Sequence, residues 1–306
     1  EQFPDASLSL CRLIAELDRF AAIVRYETER HLYRVTDPKF KEHWGGSEAR
    51  FRADMLKQVL QDDCGLHYSE ERKFDVDFTR SKDLFIHGLI KSDNGGTCVS
   101  MPVVYAAVGR RLGYPIRLVA TAEHTFCRWD GLDHADPRWR DRFNIEITNY
   151  GSAIVEDAHY MTWPQRLTPE QVKRNRLLVS LSPREELASF LASRGHCLSD
   201  LGRHAEAQLA YSQAHLLAPE VPIYLHWLAS AVERELPGRT ASRGSGKKKD
   251  SELDREALIR RAEAINAENQ RRMEQHLRSL GVPVIPGQSP TAPALPGVPV
   301  GVPPRQ

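Results

Sequence analysis

The sequence predicts an α+β protein in which helices flank a small antiparallel sheet. Apolar residues recur at helical spacing over residues 6 to 36 and again over residues 48 to 61. In the middle of the chain, residues 116 to 129 and 143 to 148 have the β-branched, alternating composition of strands. From Pro183 onward the pattern is helical again.

The two N-terminal helices are predicted to be amphipathic. The apolar stripe of the first consists of Leu8, Leu10, Leu13, Ile14, Leu17, Phe20, Ile23 and Val24, and that of the second of Phe51, Met55, Leu56 and Leu60. An amphipathic helix needs a surface on which to bury its apolar side. We therefore expect both helices to pack on the core that follows rather than to form a domain of their own.

A cysteine stands where a glycine turn is expected to become a helix. Residues 95 to 101 read Gly-Gly-Thr-Cys-Val-Ser-Met and lead into an apolar helical segment. The start of a helix carries about half a positive charge, which favours a thiolate over a thiol. Cys98 is therefore a predicted nucleophile. The alternative is that it is a small core residue, as cysteines on apolar helices ordinarily are.

The two strand segments carry a histidine and a carboxylate. His124 lies in the predicted hairpin, and the alternation of the next segment places Asn144, Glu146 and Thr148 on one face. Structural roles for both residues are the alternatives, because a histidine in a strand is often structural and a glutamate on a strand face is often only solvated.

Together these residues form the set that acyl transfer requires, because a thiol, an imidazole and a carboxylate act as nucleophile, base and orienting group. Cys98, His124 and Glu146 are the predicted catalytic residues. Asn149 is the second choice for the orienting group. Asn94, just before the glycine turn, is a candidate donor to an oxyanion, and an Asx turn is its alternative role.

Cys98, His124 and Glu146, in this order and on these elements, resemble the Cys-His-Asp core of the transglutaminase-like superfamily of papain-like cysteine enzymes; the family usually carries Asp where this chain has Glu146. Three motifs resemble, more narrowly, a bacterial branch in which tetratricopeptide repeats follow the core: Phe-Ile-His-Gly-Leu at 85 to 89, Gly-Gly-Thr-Cys-Val-Ser-Met-Pro at 95 to 102 and Gly-Arg-Arg-Leu-Gly-Tyr-Pro at 109 to 115. The resemblance covers about residues 1 to 220. It implies a papain-like, transglutaminase-type core, with the cysteine-bearing helix packed on a small antiparallel sheet, and it implies no metal or organic cofactor.

The segment after Pro183 resembles a tetratricopeptide hairpin, whose period is about 34 residues. Small and aromatic residues occupy the offsets of that motif at Gly195, Ala207, Tyr211, Ala214 and Pro219. The segment from Pro222 resembles the first helix of a second repeat, which is then interrupted. Arrays of this kind need about three units for stability, so we expect these repeats to lean on the core or on a partner.

Composition divides the chain into five parts. We expect a core with its N-terminal helices over residues 1 to 180, helical repeats over 183 to 236 and a flexible polar linker over 237 to 251. A charged helix with a partial apolar stripe follows over 252 to 280 and is a candidate to pair with another helix, and a proline-rich, disordered tail ends the chain at 281 to 306.

Charge and hydropathy exclude several classes of partner. A net charge of +1 gives no electrostatic basis for binding nucleic acid or an anionic membrane. No apolar run approaches the roughly 20 residues of a membrane-spanning helix. The N-terminus shows no signal peptide, and the absence of an initiator Met implies a fragment or processing, so a leader that has been removed stays possible.

The five cysteines, at 11, 64, 98, 127 and 197, are unevenly spaced and form no Cys-x-x-Cys pair. This argues against a disulfide framework and against a zinc site, and reduced thiols favour a cytoplasmic location. Cys11 and Cys197 are expected to pack in the core. Cys127 is expected to face away from His124 and is a weaker alternative nucleophile.

Two groups of polar and aromatic residues need a role. Asp130, Asp133, His134 and Asp136 lack the glycine and the distal glutamate of a calcium loop and are interpreted as a polar loop. His159, Tyr160 and Trp163 follow the last predicted strand and are candidates to line the cleft.

The sequence thus predicts a cysteine-dependent acyl-transfer enzyme that hydrolyses or transamidates a peptide or protein substrate through a thioester. The alternative is a catalytically silent transglutaminase-like scaffold whose helical repeats bind a protein partner.

Overall fold

A long helix opens the fold. The computed structural model describes residues 10–72, 75–90, 95–148, 154–235, 250–281 and 284. Helix α1 (Leu10–His31) is followed by a 3-10 turn (Leu32–Val35), the one-turn helix α2 (Lys41–Trp44) and α3 (Glu48–Gln58), which continues into a π turn (Val59–Asp63). Ser47 begins α3 by accepting a hydrogen bond from the backbone N–H of Arg50 at 3.2 Å.

The buried stripe of α1 consists of Leu17, Phe20, Ala21, Val24 and Thr28. Cys11 is exposed, so the prediction that it packs in the core is wrong. The reason is its position off the stripe, near the start of the helix and well before Leu17, the first buried residue. Cys197 is buried, as predicted.

The sheet is a small antiparallel meander. Its described strands are β1 (Ile116–Thr121), β2 (His124–Asp130), β3 (Arg142–Ile145) and β4 (Ile154–Val155), hydrogen-bonded in that order. Residues 178–181 extend it beside β1, because the N–H of Leu181 donates to the carbonyl of Leu118 at 2.9 Å. The predicted mixture of helices with a small antiparallel sheet is confirmed.

Helix α5 (Met101–Arg111) packs on one face of this sheet together with α1 and α3. Its buried side carries Val104, Tyr105 and Val108, which belong to one apolar cluster with residues of the N-terminal helices and of the sheet. The members from the sheet include Leu118, Cys127, Trp129 and Ile145. The N-terminal helices therefore share one core with the sheet. Short helical segments at Ser81–Leu84 (α4) and Ile86–Gly88 precede α5.

The remaining chain is helical. Short helices α6 (Asp157–Tyr160) and α7 (Pro169–Asn175) lead to α8 (Pro183–Asp200), α9 (His204–Leu217) and α10 (Ile223–Glu235). The ring of Tyr211 on α9 fills the space above Gly195 on α8, where a Cβ would lie 2.5 Å from it. The small residue at 195 thus lets α8 and α9 approach closely, in the way that the sequence pattern indicated.

A last helix, α11 (Asp250–Ser279), packs on α9 and α10. Ala262 is fully buried in the same cluster as Leu228 and Val232 of α10, with Leu258, Ile259 and Ile265 at its edge. The predicted charged helix therefore does pair with other helices. Residues 236–249, between α10 and α11, and the tail from residue 285 lie outside the described residues.

A half-buried ion pair and a hydrogen bond, both made by the buried Glu186, tie α8 to α5 and to the sheet. Arg110 of α5 donates to Glu186 of α8 at 2.8 Å, and Glu186 also accepts the backbone N–H of Leu118 at 3.1 Å. Arg176, which follows α7, pairs with Glu185 of α8 at 2.8 Å and so links these two helices. In the part of the chain that the structure describes, no helix is long and apolar enough to cross a membrane.

Candidate active site

Two glycines shape the turn that carries the cysteine. Gly96 donates its N–H to the carbonyl of His67 at 2.8 Å, and its own carbonyl accepts the N–H of Ser69 at 2.8 Å. A Cβ on Gly96 would lie 2.3 Å from Met101, and Gly95 has a φ of +71° with the backbone of Ser69 at 3.0 Å from its missing Cβ. Only glycine fits both positions, so the turn lies flat against residues 67–69.

Thr97 fixes the next turn. Its hydroxyl donates to the carbonyl of Asp83 at 2.6 Å and accepts the N–H of Val99 at 3.2 Å. The N–H of Met101 donates to the carbonyl of Thr97 at 3.0 Å, which continues the helical hydrogen-bond pattern one turn before α5. Cys98 therefore lies at the start of this helical segment, three residues before the first residue of α5, and it is partly exposed.

The Phe-Ile-His-Gly-Leu motif at 85–89 packs against this turn. Leu89 is buried, and one of its methyl groups lies 3.1 Å from the missing Cβ of Gly96. Gly88 is in contact with the backbone of Lys82 so closely that a Cβ would overlap it. The motif thus has a structural part in placing Cys98.

The turn between β1 and β2 faces Cys98. Thr121 pairs with His124, so residues 122 and 123 alone connect the strands. Glu123 has a φ of +60°, a region that disfavours residues with a Cβ. The Cys98 thiol donates to the Glu123 carbonyl at 3.8 Å, and His124 follows as the first residue of β2.

His124 and Glu146 form a buried pair. Nε2 of His124 lies 2.8 Å from Oε2 of Glu146, and the two side chains are 3% and 2% exposed. Glu146 lies one residue beyond the end of β3, where it is free of the strand ladder, and not within the strand as predicted. The opposite ring nitrogen of His124 is left for Cys98, with which the imidazole also hydrogen-bonds.

Four hydrogen bonds from described residues hold the Glu146 carboxylate. Besides His124, the Tyr160 hydroxyl donates to Oε2 at 2.8 Å, and Thr148 donates its N–H and its hydroxyl to Oε1 at 2.8 and 2.6 Å. A carboxylate accepts about four such bonds. Its orientation, and through it that of the imidazole, is therefore fixed.

The surroundings of His124 and Glu146 favour the charged form of both side chains. Burial alone lowers the pKa of His124, but hydrogen bonds with Cys98 and Glu146 and their charges together raise it to about 9. Burial raises the pKa of Glu146, yet the bonds from His124 and Thr148 bring it down to about 2. The geometry favours an imidazolium beside a carboxylate.

Aromatic side chains surround the imidazole. Trp163 meets His124 edge-on with ring centroids 4.7 Å apart, and Tyr160 lies 6.1 Å away in a stacked orientation. Tyr160 is itself stacked on Phe126 at 3.8 Å. His159 packs against both Tyr160 and Trp163. The three residues that were candidates for the cleft therefore do gather at the site, two of them on His124.

Two further residues were not singled out in the sequence. Tyr68 hydrogen-bonds with Cys98, and burial together with the charge of Cys98 raises the pKa of the Tyr68 hydroxyl. Gln61, in the π turn after α3, donates to the carbonyl of Ile147 at 3.1 Å and so holds the chain just after Glu146. A π turn is often found at functional sites, but nothing in the local sequence marks it.

Other candidates lie elsewhere. Asn144 accepts from Arg128 and donates to Asp157, each at 2.7 Å, and therefore faces away from the pair. Asn94 and Asn149 are outside the described residues. Cys127 is fully buried, donates to the carbonyl of Pro102 at 3.2 Å, and burial raises the pKa of its thiol.

The loop after β2 uses its acidic residues for ion pairs. Asp136 pairs with Arg138, and Asp130 pairs with Arg142 at 3.3 Å. Among the described residues no group of three or more His, Cys, Asp or Glu side chains is arranged to hold a metal ion.

Comparison with known proteins gives one match. The family model described as the transglutaminase-like superfamily matches residues 12–192, more than half of the 306-residue chain. Neither the search of curated proteins nor that of solved structures found a match. The matched region contains the cysteine turn, the hairpin with His124 and the segment with Glu146 and Tyr160. The chain belongs to the transglutaminase-like superfamily.

Proposed function

We propose that this protein is a cysteine-dependent acyl-transfer enzyme in which Cys98 is the nucleophile, His124 the base and Glu146 the orienting carboxylate. The observation that carries the proposal is the chain of contacts from Cys98 through His124 to Glu146, with Nε2 of the imidazole 2.8 Å from Oε2 of Glu146. Nucleophile, base and orienting group in this order are the requirement for acyl transfer.

The first half of the reaction forms a thioester. Nε2 of His124 is held by Glu146, so the other ring nitrogen exchanges a proton with Cys98. The thiolate attacks the carbonyl carbon of a peptide or amide, and the carbonyl electron pair moves to oxygen. When the tetrahedral intermediate collapses, the C–N bond breaks and the imidazolium gives its proton to the departing amine.

The second half releases the acyl group. Neutral imidazole removes a proton from water or from an amine, which attacks the thioester and displaces the thiolate. Water gives hydrolysis and an amine gives transamidation. We propose a peptide or protein substrate, since Trp163, 39% exposed beside His124, offers an apolar surface at the reacting group.

We further propose that α8 to α11 are two tetratricopeptide-type repeats, as in the bacterial branch, and that the long insertion between α10 and α11 interrupts the second. The support is the close approach of α8 and α9 at Gly195 and the packing of α11 on α9 and α10. On this basis the core spans residues 1–180 and the repeats begin at 183, with α11 belonging to them. A cytoplasmic location agrees with five free cysteines, all within the described residues.

A protein partner is proposed for the repeats. A cavity of about 200 Å³ lies between α8 and α10, lined by His196, Tyr211, Trp227 and Arg234. If the repeats alone carry the function, the core is a silent scaffold and Cys98 is inert.

Acylation of the protein tests the proposal. Incubation with p-nitrophenyl acetate is expected to release nitrophenolate and to leave one acetyl group on Cys98, detected by intact mass and peptide mapping. The matched variants Cys98→Ala and His124→Gln should abolish it, whereas Cys11→Ala should not, because Cys11 is exposed and distant in sequence from the triad. An acetyl group that persists in Cys98→Ala would contradict the assignment.

A further inference from the structure

Tyr68 is held beside the cysteine turn by the backbone. Tyr68 and Gly96 form an isolated parallel bridge, with the hydrogen bonds of Gly96 to His67 and of Ser69 to Gly96 on either side. Leu66, 3% exposed, anchors the segment in the core, and Ser69 is 7% exposed. The position of Tyr68 is therefore set by the same glycine turn that positions Cys98, and it does not depend on a mobile side-chain contact.

The Tyr68 hydroxyl meets two atoms of Cys98. It hydrogen-bonds with the backbone N–H and with the side chain of this residue. A phenol has one proton and accepts at its oxygen. An N–H only donates, so the Tyr68 oxygen accepts from the backbone, and its single proton is directed to the sulfur of Cys98.

We propose that Tyr68 is an oxyanion donor of this enzyme, giving its hydroxyl proton as a hydrogen bond to the Cys98 sulfur before attack and to the substrate oxygen after attack. The proposal rests on the acyl transfer proposed above.

The movement of charge during attack supports the transfer of the Tyr68 hydrogen bond from the sulfur to the substrate oxygen. As the bond between Sγ and the carbonyl carbon forms, the C=O π pair moves to oxygen, so negative charge leaves the sulfur and appears on an atom two bonds away. We place that oxygen beside the Cys98 N–H, since the carbon that bears it is bonded to Sγ of the same residue. The Tyr68 hydroxyl already contacts both the side chain and the backbone N–H of Cys98.

The protonation state of the Tyr68 hydroxyl suits a hydrogen-bond donor and not a base. Burial and the charge of Cys98 raise the pKa of Tyr68 above its ordinary value of 10, so the proton stays on the phenol at neutral pH. As the oxyanion develops, we expect it to replace the Tyr68 oxygen as the acceptor of the Cys98 N–H, so that this N–H and the Tyr68 hydroxyl act as a pair of donors, as acyl-transfer enzymes require.

The variant Tyr68→Phe separates this role from others, because it keeps the ring and removes only the hydroxyl. Two reactions of Cys98 are compared at fixed pH. Acetylation by p-nitrophenyl acetate passes through an oxyanion: the S–C bond forms, and the C–O bond to nitrophenolate breaks with its electron pair. Alkylation by iodoacetamide is a displacement at carbon that develops no oxyanion. Tyr26→Phe is the control, since Tyr26 is 67% exposed on α1.

We expect acetylation of Tyr68→Phe to fall about 100- to 1000-fold, the usual cost of one oxyanion donor, while alkylation changes less than about tenfold. Acetylation within a few fold of the wild type would overturn the proposal, and so would an equal fall in both reactions, which would mean that Tyr68 only supports the thiolate. A wild-type protein that is alkylated but never acetylated would overturn the proposed acyl transfer itself.

Discussion

The side chain of Glu146 is one methylene longer than that of aspartate, and its position just after β3 leaves room for this extra length. Its Oε1 is held by Thr148, two residues further along the chain, and this leaves Oε2 for His124 and Tyr160. Because the carboxylate is anchored at both oxygens, a longer side chain here need not be a looser one.

Glu146→Gln tests this orienting role. Removal of the negative charge should lower the pKa of His124 from about 9 by about 1 to 3 units, because an adjacent opposite charge stabilises the imidazolium by that amount. Titration of the imidazole by NMR measures the change, and the rate of Cys98 alkylation should fall in parallel. Asn149→Ala is the matched control. If that variant shifts the titration while Glu146→Gln does not, the orienting residue is Asn149.

Tyr160→Phe tests the support of the carboxylate. The hydroxyl donates to Oε2 of Glu146 from a fully buried position, and the phenyl ring would keep the stack on Phe126. Since a hydrogen bond to a charged group contributes about 1.5 to 3 kcal/mol, we expect a loss of this size in the free energy of unfolding. Denaturant titration measures it. A loss below about 0.5 kcal/mol would show that this bond carries no net stability.

The pair also predicts how stability depends on pH. The pKa of Glu146 falls from 4.5 to about 2 on folding, so its contribution is present above pH 4.5 and is lost as the pH falls through 2. The pKa of His124 rises from 6.5 to about 9, so its contribution is complete below pH 6.5 and is lost as the pH rises through 9. The difference in unfolding free energy between wild type and Glu146→Gln should therefore be greatest between pH 4.5 and 6.5.

Denaturant unfolding of both proteins across this range measures that difference. A difference that grows from pH 6.5 to pH 9 would contradict the assigned protonation states.

Some of these residues were predictable and others were not. Cys98 and His124 carry local signals, a glycine turn before a helix and a hairpin. Tyr68 and Gln61 act through contacts across more than 25 residues of sequence, with Cys98 and with Ile147, and no local pattern marks such partners. The sequence therefore marked the proposed nucleophile and base but not the residues that contact and hold them.

At the scale of elements, periodicity located the helices and strands but not their ends. The first helix stops at His31 and the second at Gln58 before a π turn, and β3 stops before Glu146. Helix ends depend on caps such as Ser47, and strand ends depend on whether a partner strand continues. The predicted alternation over 143 to 148 placed Asn144 and Glu146 on one face, yet they bind different partners because the ladder ends between them.

Glu186→Gln tests the link between sheet and helices. Glu186 is buried and binds both Arg110 and the backbone of β1, so its neutralisation weakens charged hydrogen bonds on both sides. We expect a loss of about 1.5 to 3 kcal/mol in unfolding free energy, measured by denaturant titration. Glu206→Gln is the control, because its ion pair with Arg203 is exposed and such pairs contribute about 0 to 1 kcal/mol. Equal effects of the two variants would contradict an anchoring role.

In the whole molecule, the helices from α8 to α11 are stabilised by contacts at both ends of the group. α8 is tied to the sheet by Glu186, and α11 covers Leu228 and Val232 of α10 at the far end. On the proposal that α8 to α11 are two repeats, they are fewer than the roughly three that a stable array needs, and these two contacts take the place of the missing units.

Two truncations separate α11 from the tail. Removal of residues after Leu280 takes away a proline-rich segment without a periodic apolar face, and the midpoint of thermal unfolding should stay nearly unchanged. Removal of everything after Glu235 also takes away α11 and uncovers apolar surface on α9 and α10, so the midpoint should fall by several degrees. A large fall with the first truncation, or none with the second, would contradict this division.

Brief alkylation by iodoacetamide at several pH values between about 5 and 9, with each cysteine followed by peptide mapping, tests whether the surroundings of Cys98 activate it. Cys11 is exposed and serves as the internal reference thiol, and Cys127 is buried and should stay unmodified. We expect Cys98 to react before Cys11, and His124→Gln to remove this advantage. If Cys98 reacts no faster than Cys11 and with the same pH dependence, Cys98 is not an activated nucleophile and the scaffold function takes its place.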